Sequence, residues 1–115
     1  MGQHTWKSIP VEQMSSLVSR QVLHTENATV ARLRLKKGAV VPLHHHVSEQ
    51  LTMLEEGRLR FVIDGAESEI SGGEMMQIRP DAPHSVEALE DSVATDIFSP
   101  AREDWIRGDD AYLRR

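Results

Sequence analysis

The side chains best suited to chemistry in this sequence are three histidines and one glutamine on two strand-like segments. His44 and His46 occupy alternate positions, and side chains two residues apart on an extended strand share a face. Gln50 has the same parity, and a second apolar segment leads to His84. Three ring nitrogens and one amide oxygen suit a transition metal rather than calcium or magnesium. The pattern therefore predicts a site for one divalent transition metal, without distinguishing Zn, Ni, Fe, Mn and Cu.

The same segment leaves alternatives open. Histidine runs also occur on ordinary solvated surfaces, although this run lies mid-chain in a periodic segment, where an affinity tag is not expected. A bulge after His46 would reverse the parity and make Glu49 the ligand, or Gln50 would only form hydrogen bonds inside the fold. His45 points away from its neighbours on any regular strand, so it is predicted not to bind metal. A neutral Gln50 ligand would preserve the full charge of the metal, which favours Lewis-acid chemistry on an anionic substrate.

A second group of residues near the C-terminus combines a carboxylate, an aromatic ring and a guanidinium. Asp96 and Phe98 share one strand face and Ile97 lies on the other, so either face can be the inner one. If Asp96 points inward, it is a buried carboxylate suited to act as a general acid or base. Arg102 could then pair bidentately with a substrate carboxylate. Alternatively, Asp96 and Arg102 are ordinary surface charges.

Composition limits the domain organisation and the function. The 115 residues allow one domain over 1–115, with a core at about 18–100, an N-terminal extension over 1–16 and a C-terminal arm over 102–115. The net charge of -5 argues against nucleic acid or an anionic membrane as a partner. The sequence has no cysteine, no apolar signal segment and no apolar run of membrane-spanning length, so a cytoplasmic protein is expected.

Short strand-like runs, too closely spaced for crossover helices, must position these residues. Nine strands are predicted: Leu17–His24, Thr29–Leu35, Val40–His44, Gln50–Glu55, Leu59–Ile63, Glu67–Ile70, Met75–Ile78, Ser85–Ala88 and Val93–Phe98. Asp64 and Gly65 predict a type I′ hairpin turn, in which both central residues have positive φ. Leu59, Phe61 and Ile63 share a face that is expected to point inward. The fold class is therefore all-β, a sandwich or barrel with a short helix or arm at the C-terminus.

The spacing of glycines and histidines resembles the two motifs of the cupin superfamily. The first motif is matched by Gly38, His44, His46, Gln50 and Gly57, with glutamine where glutamate is usual. The second is matched by Gly73, Pro80 and His84, whereas Arg79, Asp81 and Ala88 depart from the common residues. The resemblance implies a cupin (RmlC-like) β-barrel or jelly roll made of two antiparallel sheets.

The segment Asp-Ile-Phe-Ser-Pro-Ala-Arg-Glu-Asp-Trp at 96–105, with the histidine motif, resembles the small cupins of the KdgF type. These are pectin-degradation proteins that act on 4,5-unsaturated uronates. The resemblance implies metal ligands at His44, His46, Gln50 and His84. It also implies a sugar pocket lined by Asp96, Phe98 and Arg102, of which Asp96 and Arg102 take part in turnover. Met53, at a position that is often aromatic in relatives, is predicted to contact the substrate as well.

The function implied by this resemblance is a metal-dependent, non-redox conversion of an unsaturated uronate or related sugar acid to its linear keto form. Two alternatives are a non-catalytic cupin that binds a small acidic metabolite and a metal-dependent oxygenase. Small cupins commonly pair, so a homodimer is predicted. Its contacts are expected to include Leu17, Val18, Val22 and Leu23 in the first predicted strand.

Overall fold

The computed structural model describes residues 1–114 as ten β-strands in two antiparallel sheets. The strands are β1 Glu12–Gln13, β2 Val18–His24, β3 Thr29–Leu35, β4 Val40–His44, β5 Glu49–Glu56, β6 Arg58–Ile63, β7 Ala66–Ser71, β8 Met75–Ile78, β9 His84–Ala88 and β10 Ser92–Ser99. The six-stranded sheet has the order β1-β2-β3-β10-β5-β8, and the four-stranded sheet has the order β4-β9-β6-β7. All nine predicted strands are present, and the two-residue β1 is the one that the sequence did not indicate.

The two sheets pack together through apolar inward faces. Leu59 and Phe61 are 2% and 1% exposed, and Ile63 packs against the same core, as their shared face predicts. From the opposite sheet, Leu33, Leu54 and other aliphatic side chains join this cluster. The burial of these side chains removes apolar surface from water and is the main stabilising term for such a fold. The predicted all-β architecture of two antiparallel sheets is confirmed.

Two glycines serve turns that other residues would strain. Asp64 and Gly65 have φ values of 50° and 81°, and Ile63 pairs with Ala66 on either side, which is the predicted two-residue hairpin. Gly57 connects β5 in one sheet to β6 in the other with a φ of 100°. A Cβ atom there would lie 2.2 Å from the Ser92 hydroxyl, so the crossing between sheets requires glycine.

The chain ends in a short folded arm rather than in a further strand. Helix α1 spans Glu103–Ile106, and a 3-10 turn spans Ala111–Leu113. Trp105 and Leu113 are buried against the core, so residues 102–114 cover one end of the barrel. Arg115, the last residue of the predicted arm, lies outside the described residues. A 3-10 turn at Trp6–Ser8 precedes the sheets, and no helix within residues 1–114 is long and apolar enough to cross a bilayer.

The residues expected to form a dimer contact do not all face outward. Val18 is 4% exposed and Val22 packs against the core, so both point into the barrel, contrary to expectation. Leu17 is 36% exposed, and Leu23 lies opposite Val30 on the outer face of the six-stranded sheet. The homodimer itself stays a prediction.

The burial of Leu59 predicts how strongly its truncation lowers the stability of the fold, and exposed Leu43 provides a matched control. Leu59→Ala removes a fully buried leucine, and we expect it to lower the free energy of unfolding by about 2–5 kcal/mol. Leu43→Ala makes the same chemical change at a position that is 70% exposed, and its effect should stay within about 0.5 kcal/mol. Urea unfolding of the two variants and the wild type measures both, and equal effects would contradict the assigned inward face.

Candidate metal centre

Three histidines from different parts of the fold meet at one end of the barrel. His44 ends β4 and pairs across the ladder with His84, which begins β9. His46 lies in the turn after β4, where the chain passes to the other sheet. One ring nitrogen from each histidine lies within 4.8 Å of the others, a separation that can hold a single metal ion.

Each of these imidazoles is oriented by a backbone carbonyl group. Nδ1 lies 2.8 Å from the Pro42 oxygen in His44, 2.9 Å from the Ser48 oxygen in His46 and 2.8 Å from the Ala82 oxygen in His84. A carbonyl oxygen can only accept, so each Nδ1 carries the proton and each Nε2 presents a lone pair. A hydrogen bond from the ring nitrogen that does not bind the metal is the usual way in which proteins orient a metal-binding histidine.

Burial keeps the three imidazoles in the neutral form that a metal requires. Burial lowers the pKa of His44 to about 4, and the neighbouring imidazoles add to the effect. Burial also lowers the pKa of His46 to about 4, helped by the positive charge of Arg102. The pKa of His84 is lowered for the same reasons. All three rings are therefore neutral near pH 7 and available as ligands.

A chain of hydrogen bonds fixes the orientation of the Gln50 amide. The hydroxyl group of Thr52 donates to the carboxylate of Asp96 at 2.6 Å, and its single proton is then in use. Thr52 therefore accepts from Nε2 of Gln50, which lies 3.0 Å away. As a result Oε1 of Gln50 is turned toward His46, 3.0 Å from Nε2 of that ring.

This geometry fits a bound cation. Nε2 of His46 and Oε1 of Gln50 are both acceptors once the Nδ1 proton and the amide are assigned, so their lone pairs face each other. Nε2 of His84 is buried and has no hydrogen-bond partner, although buried polar atoms are normally paired. A divalent metal between these atoms would satisfy all of them. The chain's own residues thus fit the predicted ligand set of three nitrogens and one oxygen.

The structure also decides which neighbouring side chains lie outside this centre. The carboxylate of Glu49 is exposed and accepts a hydrogen bond from Gln77 at 3.0 Å, so it does not replace Gln50. The His45 side chain is 67% exposed and lies 3.5 Å from Asp81. Gln50 reaches the centre from the inward face of β5 in the six-stranded sheet, whereas His44 belongs to β4 in the four-stranded sheet. The two residues therefore do not lie on one continuous strand.

Met53 is not brought to this site, which corrects the sequence-based assignment. Gln50, Thr52 and Leu54 of β5 are buried on the inward face, and Met53 alternates with them. It pairs with Thr95 on one side and with Met75 on the other, on the outer face of the six-stranded sheet. The prediction that Met53 contacts a substrate in the barrel is therefore wrong.

Asp96 and Phe98 face inward, which settles the strand orientation that the pattern left open. Both side chains line a small cavity of about 40 Å³ together with His44, Gln50 and His84. Burial raises the pKa of Asp96 to about 6, against the opposing effects of the Thr52 hydrogen bond and the Arg102 charge. A carboxyl group whose pKa lies near neutrality is suited to proton transfer.

Arg102 lies at the border of the same cavity, but its bidentate edge is already in use. Nε and Nη2 donate to the two carboxylate oxygens of Asp104 at 2.9 and 2.8 Å. Burial alone would raise the pKa of Asp104, but the hydrogen bonds from Arg102 hold it below its usual value. The guanidinium also lies over the rings of Phe98 and Trp105, at 4.7 and 4.3 Å from their centres. The bidentate pairing that was predicted with a substrate carboxylate is therefore made with the carboxylate of Asp104 instead.

Two residues of the site were missed by sequence reasoning. Thr52 links Gln50 to Asp96, and its shared parity with Gln50 was a usable signal. Tyr112 stacks on His44 with ring centres 4.7 Å apart, and it comes from a segment that shows no strand periodicity. No local pattern indicates where such a side chain packs.

Comparison with known proteins defines the class of this fold and site. The family model of the cupin domain matches residues 31–98, which is more than half of the chain. The chain belongs to the cupin family. It is 26% identical over 100 residues to the pectin degradation protein KdgF of Dickeya dadantii (strain 3937), a match that covers 84% of this chain and 91% of that protein.

Two solved structures show the same fold. The structure of KdgF from Halomonas sp. matches with a TM-score of 0.84 and 24% identity, over 91% of this chain and 99% of that one. An RmlC-like cupin from Shewanella frigidimarina NCIMB 400 matches with a TM-score of 0.82 and 24% identity, over 89% and 93% of the two chains. The RmlC-like architecture inferred from the sequence motifs is confirmed.

The histidine geometry predicts opposite outcomes for adjacent residues. His46→Ala removes a converging Nε2, and we expect zinc affinity to fall by more than the roughly 10–100-fold that an outer-shell partner contributes. His45→Ala removes an exposed imidazole and should leave the affinity unchanged. Competition with a chelator measures both constants. Loss of zinc in His45→Ala with retention in His46→Ala would contradict the assignment.

The Gln50 hydrogen bonds predict an indirect effect of Thr52. Thr52→Val keeps the shape but removes the hydroxyl that orients the amide, so zinc affinity should fall by about 10-fold. Thr95→Val is the matched control on the outer face of β10, where the hydroxyl donates to Glu55, and it should have no effect. Equal affinities for the two variants, measured by chelator competition, would show that the amide is not oriented in this way.

Proposed function

We propose that this cupin is a metal-dependent enzyme that opens the ring of a 4,5-unsaturated uronate, or of a closely related sugar acid, to the linear keto form. The relationship to the pectin degradation protein KdgF supports the substrate class. The observation that carries the proposal is the continuous contact from the histidine cluster through Gln50 and Thr52 to Asp96. It joins a candidate Lewis-acid centre to a candidate proton carrier in one buried space.

The side chains that would hold the metal are neutral, and this determines the charge of the cavity. They are His44, His46 and His84 through Nε2, and Gln50 through Oε1. A divalent metal bound there supplies a Lewis acid whose charge no carboxylate ligand reduces. Arg102 adds a further positive charge at the border of the cavity. This arrangement suits a substrate that carries a carboxylate.

The reaction needs proton transfers but no electron acceptor. Ring opening breaks the bond between the anomeric carbon and the ring oxygen, while the anomeric hydroxyl loses its proton and the ring oxygen gains one. The resulting enol then loses its oxygen-bound proton, and carbon 4 gains a proton, so the product is an isomer of the substrate. Asp96 would accept and return these protons, since it faces the cavity and Thr52 holds one of its carboxylate oxygens. Phe98 would pack against the sugar ring.

A groove on the protein surface borders the candidate site. It has a volume of about 370 Å³ and lies between the 45–48 turn and the beginning of helix α1. His46 and Arg102 belong to both the groove and the site, so a ligand in the groove meets the metal-binding and the cationic side chains together. We propose that the substrate enters here and that Arg102 attracts its carboxylate through charge, while Asp104 keeps the guanidinium in place.

The role of Asp96 predicts a loss of turnover without a loss of metal. Asp96→Asn keeps the shape but cannot carry a proton, so we expect turnover to fall by about 100–10,000-fold. Asp109→Asn is the matched control at an exposed position of the arm and should retain full activity. Ultraviolet loss of the conjugated uronate chromophore measures turnover, and elemental analysis measures the metal. An Asp96→Asn protein with wild-type turnover would contradict the proposed role.

The same assay separates the proposal from the alternative functions. The isomerisation consumes no oxygen, so the rate should be the same under anaerobic conditions. A rate that depends on dioxygen would point to an oxygenase instead. A metal-loaded protein that binds the uronate without consuming it would point to a non-catalytic cupin.

A further inference from the structure

Tyr112 contacts both halves of the candidate site, although it lies in the C-terminal arm outside the barrel strands. Its ring stacks on the imidazole of His44, with an interplanar angle of 29° and ring centres 4.7 Å apart. Its hydroxyl lies 2.8 Å from Nη2 of Arg102 and 3.0 Å from Nε1 of Trp105, and it accepts from both. One side chain thus joins a candidate metal ligand, His44, to Arg102, the cation at the border of the cavity.

The arm that carries Tyr112 is fastened to the barrel. Asp110, two residues before it, forms a buried ion pair with Arg20 of β2, and both side chains are at most 6% exposed. Arg20 also lies over the ring of Trp105, at 4.6 Å from its centre. Leu113, directly after Tyr112, is buried in the core. These anchors fix the position of Tyr112 independently of any ligand.

His44 is the histidine that most needs such support. It is half-buried, whereas His46 and His84 are buried. The Pro42 carbonyl fixes the Nδ1 edge of the ring, but one hydrogen bond leaves the tilt of the imidazole free. The ring of Tyr112 covers one face and restricts that tilt. Outer-shell partners that hydrogen-bond to a ligand contribute about 10–100-fold to metal affinity, and we expect the stacked ring to act at the lower end of that range.

Arg102 is held on several sides, and Tyr112 supplies one of them. Asp104 binds Nε and Nη2, while Phe98 and Trp105 lie against the guanidinium plane. The Tyr112 hydroxyl gives Nη2 a second acceptor. Nη1 takes part in none of these bonds, so it is the guanidinium nitrogen available to an anion.

We propose that Tyr112 is a positioning residue that orients His44 toward the metal and Arg102 toward the substrate carboxylate. The His44 half concerns metal binding alone, and the Arg102 half rests on the proposed function. The C-terminal arm is therefore part of the site and not only a cover for the barrel. The ring and the hydroxyl have separate roles, so conservative substitutions can separate them.

Zinc affinity tests the role of the ring. Tyr112→Leu removes the stacking ring, and we expect zinc affinity, measured by chelator competition, to fall by about 10-fold. Tyr112→Phe retains the ring and should bind zinc within about 2-fold of the wild type. Ile106→Ala, at an exposed position of the same arm, should also match the wild type. A Tyr112→Leu protein that binds zinc as tightly as the wild type overturns the inference.

Loss of folding in Tyr112→Leu would also lower zinc affinity, so the folding of the variant is measured separately. Thermal unfolding of the metal-free proteins shows whether Tyr112→Leu is folded. If Tyr112→Leu is unfolded, Tyr112→Met takes its place, because methionine fills the space without an aromatic ring. Zinc binding does not require the uronate, so the test of the ring does not depend on the proposed function. If the proposed function is wrong, the wild type will bind zinc but will not convert the uronate.

The KM for the uronate tests the role of the hydroxyl, provided that the wild type is active. Tyr112→Phe should raise KM about 5-fold, the effect of one net hydrogen bond, and should leave kcat unchanged. An unchanged KM overturns the role of the hydroxyl.

Discussion

The candidate metal centre depends on three hydrogen bonds from imidazole Nδ1 groups to backbone carbonyl oxygens. Pro42, Ser48 and Ala82 provide these oxygens, each two residues from the histidine that it orients. Because a carbonyl oxygen cannot donate, these contacts fix the tautomer of all three rings and turn their lone pairs inward. Pro42 lies in β4, whereas Ser48 and Ala82 lie in connecting segments within two residues of the start of β5 and β9. The adjoining strands limit the movement of these segments, and rigid elements place a site more accurately than loops do.

Charge is distributed unevenly around the cavity. The ligand set is neutral, Arg102 brings a positive charge, and Asp96 is a carboxylate whose pKa burial raises to about 6. Asp104 neutralises part of the Arg102 charge, but from outside the cavity, where it is half-buried. With a divalent metal bound, the interior would suit an anion, and Asp96 could take up or release a proton there near neutral pH.

The fold was predicted well from the sequence because strand alternation and turn residues are local patterns. Alternation of apolar side chains and turn residues located nine strands, and parity placed His44 and His45 on opposite faces. The remaining features of the site depend on packing between residues that are distant in the sequence, which local patterns do not predict. Gln50 was correctly expected to point inward, but it does so from the other sheet, and the parity that favoured it also excludes Met53. Arg102 was expected to face a substrate, whereas Asp104, two residues away, occupies its fork.

The candidate ligands are divided between the two sheets. His44 and His84 belong to the four-stranded sheet, Gln50 belongs to the six-stranded sheet, and His46 lies in the turn that connects them. An ion bound by all four would act as a cross-link through the sandwich, and its binding free energy would become part of the free energy of unfolding. For a ligand present at 100 times its Kd, that linkage amounts to about 2.7 kcal/mol. The resistance of this protein to heat would then vary with the metal supply of its surroundings.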